Sequence, residues 1–323
     1  MIPTSVRVRS LAALAAAVLL GCNGADGGGG DAPPDSASAA RVERPAFDAG
    51  RAFGHLRAQV AFGPRVPGTP GHARQLEWMR AYLRERADTV IDQPFTYTTT
   101  GGETLRLTNL FARFRPELQE RVLLVAHWDT RPKADQAATA ADRELPVPGA
   151  NDGASGVAVL MELAQIFRQQ PPPIGVDILL VDGEDYGPSG DDMYLGAKHF
   201  AANLPAGYRP FYGVLVDMVG DRNPLFPVEG NSAQMAPEVV QRVWGVAREL
   251  GYGDVFPNTP GISVEDDHIP LNRAGIRTVD IIDFDYGPGN RYWHTPQDVP
   301  ENTSGESLRI VGEVLAELVY RGG

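Results

Sequence analysis

Apolar runs in the second half of this chain have the composition of buried strands, and they end in an acid or a histidine. Val122–Ala126 runs into His127-Trp128-Asp129, Val176–Val181 into Asp182-Gly183-Glu184-Asp185, and Val214–Val216 into Asp217. The segment ahead of the C-terminal helical pattern carries Trp293-His294, while Asp152 and Asp266-Asp267-His268 fall in loops between the runs. A core strand gains nothing from a carboxylate at its tip, and several gathered at one edge repel each other. Something positive must hold them together, and a hard or borderline cation is the obvious agent.

The runs Val122–Ala126 and Ile178–Val181 are continuously apolar, as in strands covered on both faces. Between them Val157, Leu160, Met161, Ala164 and Phe167 form a helical stripe over 153–169. Similar spacing predicts helices over 47–60, 73–86, 197–203, 237–250 and 307–320. Phe95–Thr99 and Leu105–Phe114 alternate around Gly101-Gly102, which predicts a hairpin. Strands alternating with helices predict an α/β three-layer sandwich, with a central mixed, mostly parallel sheet flanked by helices. Sites in such sheets form beyond the carboxyl ends of the strands, where these acids fall.

The 323 residues suit one large globular body, and 43% of them are hydrophobic. A net charge of −12 without a basic cluster argues against nucleic acid or an anionic membrane surface as partner. Arg7 and Arg9 precede an apolar run over 11–20 that is too short to span a bilayer. Leu19-Leu20-Gly21-Cys22 follows and resembles the lipobox of bacterial lipoproteins. The resemblance implies a signal peptide over 1–21, lipidation of Cys22, and anchoring in the bacterial cell envelope on a periplasmic or extracellular face. The alternative is an ordinary cleaved signal whose cysteine is incidental. Residues 22–43 are Gly, Ala, Asp, Ser and Pro for the most part and predict a flexible linker. Cys22 is the only cysteine, so no intramolecular disulfide and no catalytic thiol is available. A monomer is expected.

Taken singly, the site candidates leave alternatives open. His127 and Asp129 point to one side of an extended chain, so one could ligate while the other orients it. Asp152 lies in Gly149-Ala150-Asn151-Asp152-Gly153 before a helix; it is either an N-cap or a site residue that the glycines let close to its partners. Glu184 and Asp185 diverge as neighbours do, so one can bind metal while the other serves as a base. Asp182 is expected to turn back into the sheet in a structural role. Asp217 is either a supporting acid or the ligand of a second metal. Asp266-Asp267-His268 is either a solvated acidic turn beside Glu265 or part of the site. Trp293-His294 offers an imidazole beside a flat apolar wall. His55, His72 and His199 are expected only to pack. Two carboxylates and an imidazole with one open position suit catalytic zinc, and no HExxH motif occurs.

The order H-x-D, N-D-G-A-S-G, E-D, D, D-D-H, W-H resembles the M28 family of zinc aminopeptidases, and most closely its glutaminyl-peptide cyclotransferase branch. The likeness includes Pro64–Gly71, Met161-Glu162-Leu163-Ala164 and Asn223-Pro224-Leu225-Phe226-Pro227, and spans roughly residues 47–320. Its most telling piece is Asp266, where peptidases of the family usually carry serine. The resemblance implies a catalytic domain over 44–323 of the zinc aminopeptidase-like fold. It also implies one Zn²⁺ on Asp152, Asp185 and His294, with Glu184 as general acid/base. Asp217 and Asp266 would form a hydrogen-bonded acidic pair, while Trp293 and Glu265 would meet the substrate, a peptide or protein N-terminus. The aminopeptidase alternative holds two zinc ions, the second on His127 and Asp217, and a metal-free binding module is a third reading. Two features depart from the pattern: 186–193 lacks the tryptophan of animal cyclases, and Asp185 stands where glutamate is commoner.

Overall fold

The computed structural model describes residues 43–323. The signal-like segment, the lipobox with Cys22 and all but the last residue of the linker lie outside the described residues. In chain order the elements are α1 (Ala49–Ala61), α2 (Pro70–Arg84), β1 (Thr89–Thr98), β2 (Thr104–Phe114), β3 (Arg121–His127), α3 (Ala154–Gln169) and β4 (Gly175–Val181). There follow α4 (Leu195–Ala202), β5 (Gly213–Asp217), α5 (Gly230–Met235), α6 (Pro237–Glu249), α7 (His268–Arg273), β6 (Thr278–Ile282) and α8 (Gly305–Tyr320). Local chemistry sets several of the starts. Asp48, Thr69 and Ser304 cap α1, α2 and α8 through side-chain oxygens, and Pro70 opens α2 where no N–H is needed.

The six strands form one mixed sheet in the order β1-β2-β4-β3-β5-β6. β4, β3, β5 and β6 run parallel, and β2 pairs antiparallel with both β1 and β4. The hairpin is therefore longer than its alternating cores suggest, and its second strand joins the central sheet. Alternate residues of the parallel strands enter opposite cores. Val122, Leu124 and Ala126 of β3 pack with α1, α2, α3, α6 and α8, whereas Leu123 and Val125 pack with Phe200 of α4 and Leu271 of α7. Burial on both faces is why these strands read as unbroken apolar runs. Three elements escape the sequence pattern: β6 and the short helices α5 and α7, the latter beginning at His268.

The parallel register aligns the strand ends. His127 lies opposite Val181 across β3 and β4, and Asp217 opposite Ile282 across β5 and β6. All the tips that carry site candidates thus open on one edge. Among the described residues no helix is long and apolar enough to cross a membrane.

Candidate active site

Asp152, Asp185 and His294 come from three separate loops and meet at that edge. His294 Nε2 lies 3.5 Å from Asp152 Oδ2 and 3.4 Å from Asp185 Oδ1. One ligand-type atom from each of the three lies within 4.8 Å of the others, and all three residues are buried. Asp152 is not the helix cap: the capping position of α3 is Gly153, and the Asp152 carboxylate faces His127 and His294 instead. Gly153 permits this approach, since a Cβ there would sit 2.6 Å from the His127 ring.

His127, Glu184, Asp217 and Asp266 surround the same point. His127 Nε2 lies 3.0 Å from Asp217 Oδ1 and 3.2 Å from Asp152 Oδ1, so one imidazole ties two carboxylates directly. No described residue donates a hydrogen bond to the Glu184 carboxylate, whose nearest cationic neighbour is His127 Nδ1 at 3.7 Å. Burial pushes Glu184 well above the usual carboxyl range; His127 opposes this, and Asp185, Asp266 and Asp267 add to it. Asp266 is also raised well above that range, by burial first and then by the charges of Asp217 and Asp267.

The hydrogen-bonded pair of Asp217 with Asp266 is not formed among the described residues. Asp217 Oδ1 is taken by His127, and Asp266 Oδ1 turns back to accept from the Asp267 N–H. Asp266 Oδ2 is buried with no N–H or O–H donor, and the Asp266 side chain is hydrogen-bonded to the buried Asp280 carboxyl. The reading of 266–268 as a solvated turn also falls, because all three side chains are buried. Glu265, by contrast, is exposed on the rim.

A cavity of about 340 Å³ opens over these groups. Met193, Met218, Ile282, Phe284 and Trp293 give it an apolar wall, and Ile262 and Glu265 stand at its mouth. Trp293 stacks on His294 at 3.8 Å and meets Phe284 at 4.9 Å, so it braces the imidazole as well as walling the cavity. His294, Met218 and Tyr194 all have positive φ (53°, 48° and 58°), and all three line this cavity. Backbone held in this sparsely populated region concentrates at sites whose surroundings over-determine it.

Several supporting residues carry no signal in spacing. The Asp129 carboxylate accepts the backbone N–H groups of Glu184 (3.0 Å) and Asp185 (3.2 Å), so it holds the metal-site loop, and its Oδ1 also lies 3.7 Å from His127 Nδ1. Asp298 does the same for the Asp152 turn, accepting from Asn151 N (2.7 Å) and Asp152 N (3.2 Å). Buried Arg65, from the loop ahead of α2, donates through its guanidinium to the carbonyl of Gly149 at 2.5 Å and through its backbone N–H to Thr130 Oγ1 at 2.8 Å. Asp182 holds His72 Nε2 at 2.9 Å and the Thr108 N–H at 2.7 Å, the structural role its position suggests.

The donor set fits a divalent cation. Asp185 Oδ2 is buried with no partner, and His294 Nε2 points between two carboxylates. Burial alone would depress the His294 imidazole, yet Asp185, Asp135 and Asp152 outweigh it and carry it up to about 11. A place that holds a proton so firmly holds a cation for the same reason. Two carboxylate oxygens and one imidazole nitrogen suit zinc or a similar borderline ion.

Residues 109–319 match the model of "Peptidase family M28". A glutaminyl-peptide cyclotransferase-like protein of Mus musculus is 27% identical over 284 residues, covering 78% of this chain and 70% of the relative. The structure of a Bacteroides thetaiotaomicron glutaminyl cyclase bound to N-acetylhistamine superposes with a TM-score of 0.83 at 37% identity, covering 86% of this chain and 99% of the other. A Zn-dependent exopeptidase of Parabacteroides distasonis superposes equally well, with a TM-score of 0.83, 37% identity and the same 86% and 99% coverage. The chain belongs to peptidase family M28, as a homologue of the glutaminyl-peptide cyclotransferases.

Proposed function

We propose that this protein is a zinc-dependent glutaminyl-peptide cyclotransferase, which closes the N-terminal glutamine of a peptide or protein into pyroglutamate and releases ammonia. The observation that carries the reading is Asp266. It adds a buried carboxyl to the lining of a cavity already holding Glu184, in a chain homologous to cyclotransferases. Asp152, Asp185 and His294 would hold the metal, which supplies a Lewis acid for the γ-carbonyl oxygen.

The α-amine nitrogen attacks the γ-carbonyl carbon, and the bond from that carbon to the amide nitrogen breaks, so no water is consumed. Glu184, whose carboxylate accepts no hydrogen bond from the described residues and lies 3.7 Å from His127 Nδ1, takes the proton that the amine gives up. The same carboxyl then hands that proton to the departing nitrogen, which leaves as ammonia. Asp266, raised by burial and by the charges of Asp217 and Asp267, borders the cavity as an acid whose side chain is hydrogen-bonded to buried Asp280. Trp293 and the methionines beside it exclude water from the reacting carbon.

The way His127 is used supports one zinc per chain, although His127, Asp152 and Glu184 together form a second group able to hold a metal. The His127 Nε2–H can satisfy both Asp217 and Asp152, so no second cation is needed there. Those same three side chains are what a two-metal aminopeptidase would use, which keeps that as the second reading. Purified protein is expected to release ammonia from a Gln-initiated peptide, to stop after chelator treatment, and to recover when about one equivalent of zinc is returned. A requirement for two equivalents, with free amino acids as product, would move the assignment to the aminopeptidase.

A further inference from the structure

We infer that Arg131 and Asp135 are positioning residues that together set two of the three metal ligands. The inference rests on the ligand set proposed above, but not on which reaction it serves. Arg131 is buried in the loop after β3, and each of its nitrogens is engaged. Nε and Nη2 grip Asp135 Oδ2 at 3.0 and 2.7 Å, and Nη1 donates to Asp185 Oδ1 at 2.6 Å. The other oxygen of Asp135 meets His294 Nδ1 at 3.2 Å. A guanidinium spent in this way is not a substrate-binding group, although it borders the cavity.

Each contact fixes a variable that metal binding would otherwise leave loose. The bond from Nδ1–H of His294 to Asp135 selects the tautomer whose Nε2 is a free donor, aimed at Asp152 and Asp185. The bond from Arg131 to Asp185 Oδ1 leaves Oδ2, buried and otherwise without partner, as the oxygen on offer. The short aspartate arm is thereby held to one orientation. The planar fork suits this double duty, and a lysine point charge could not hold both acids at once.

The frame around the pair is built to match. Backbone bonds tie the loop down at both ends: Val147 N to Arg131 O at 3.0 Å and Gln136 N to His294 O at 3.3 Å. Gly187 (φ 59°) leaves the guanidinium its room, since a Cβ there would lie 2.8 Å from Nη1. The Gly/Pro-rich stretch after Asp185 thus has a reason in the reach of Arg131.

The test measures zinc affinity of the purified chain by competition with a chromophoric chelator. Asp135→Asn and Arg131→Gln are expected to bind zinc about ten- to a hundredfold more weakly. Arg131→Lys, which keeps the charge but not the fork, should fall nearer the glutamine variant than the native protein, and it remains readable if the glutamine variant does not fold. The visible spectrum of the cobalt(II)-loaded Asp135→Asn protein should differ from that of the native, at unchanged melting temperature of the metal-free chains. Native zinc affinity and an unaltered cobalt spectrum in Asp135→Asn and Arg131→Lys would overturn the inference. Neither readout involves a substrate, so failure of the cyclase reading would leave this result standing, and the reverse.

Discussion

Replacing Glu184 by glutamine is expected to lower kcat on Gln-initiated peptides by about 10²–10⁴-fold, the usual range for a general acid–base. Zinc content and melting temperature should stay at native values. The separation follows from the position of the side chain. Its carboxylate accepts no hydrogen bond from the described residues, so an isosteric amide gives up only the longer ion pair with His127 Nδ1 at 3.7 Å. The neighbouring backbone is held independently, through the Glu184 N–H on Asp129 and the Glu184 carbonyl on Tyr194 N. The only faculty removed is the ability to take and return a proton. Steady-state kinetics with parallel metal analysis decide it. A variant that retains a large share of native turnover would take Glu184 out of the reaction.

Asp298→Ala should be as damaging by a different route. Its carboxylate lies outside the metal set, yet it takes the N–H groups of Asn151 and Asp152 and the hydroxyl of Tyr286 at 3.1 Å. Each buried donor left without an acceptor costs about 1–3 kcal/mol. The melting temperature should fall by roughly 5–10 °C at the usual sensitivity for chains of this size. Asp152 loses its fixed backbone at the same time, so zinc should be recovered at well below one equivalent. Asp298→Asn retains one carbonyl acceptor and should lose less on both counts. Calorimetry and metal analysis of the two variants test the ordering. Equal and native-like behaviour of both would show that the turn stands without Asp298.

The sheet and the metal-binding acids were legible in the sequence for one shared reason. β3, β4 and β5 are buried on both faces, so they read as continuous apolar runs, and their parallel register delivers each terminal acid to the same edge. β6 was not legible, because Asp280 divides its five residues and leaves only Ile281 and Ile282 after it, whereas β4 keeps four apolar residues beyond Asp177. α7 spans six residues and contains Pro270, so no helical period can emerge. The supporting residues were hidden for a geometric reason. Asp298 serves a backbone N–H 147 positions away, and Arg131 an acid 54 positions away. Contacts closed by the tertiary fold leave no trace in local spacing. Resemblance chose among alternatives that pattern left open, and the direct bond it implied between Asp217 and Asp266 is absent among the described residues, where Asp217 Oδ1 faces His127.

The central claim is that this centre closes a glutamine rather than removing it. Mass spectrometry of a Gln-initiated peptide after incubation with the zinc-loaded protein tests it most directly. The expected product is lighter by one ammonia, with the first residue retained as pyroglutamate. A product shortened by its first residue, with free glutamine in solution, would contradict it.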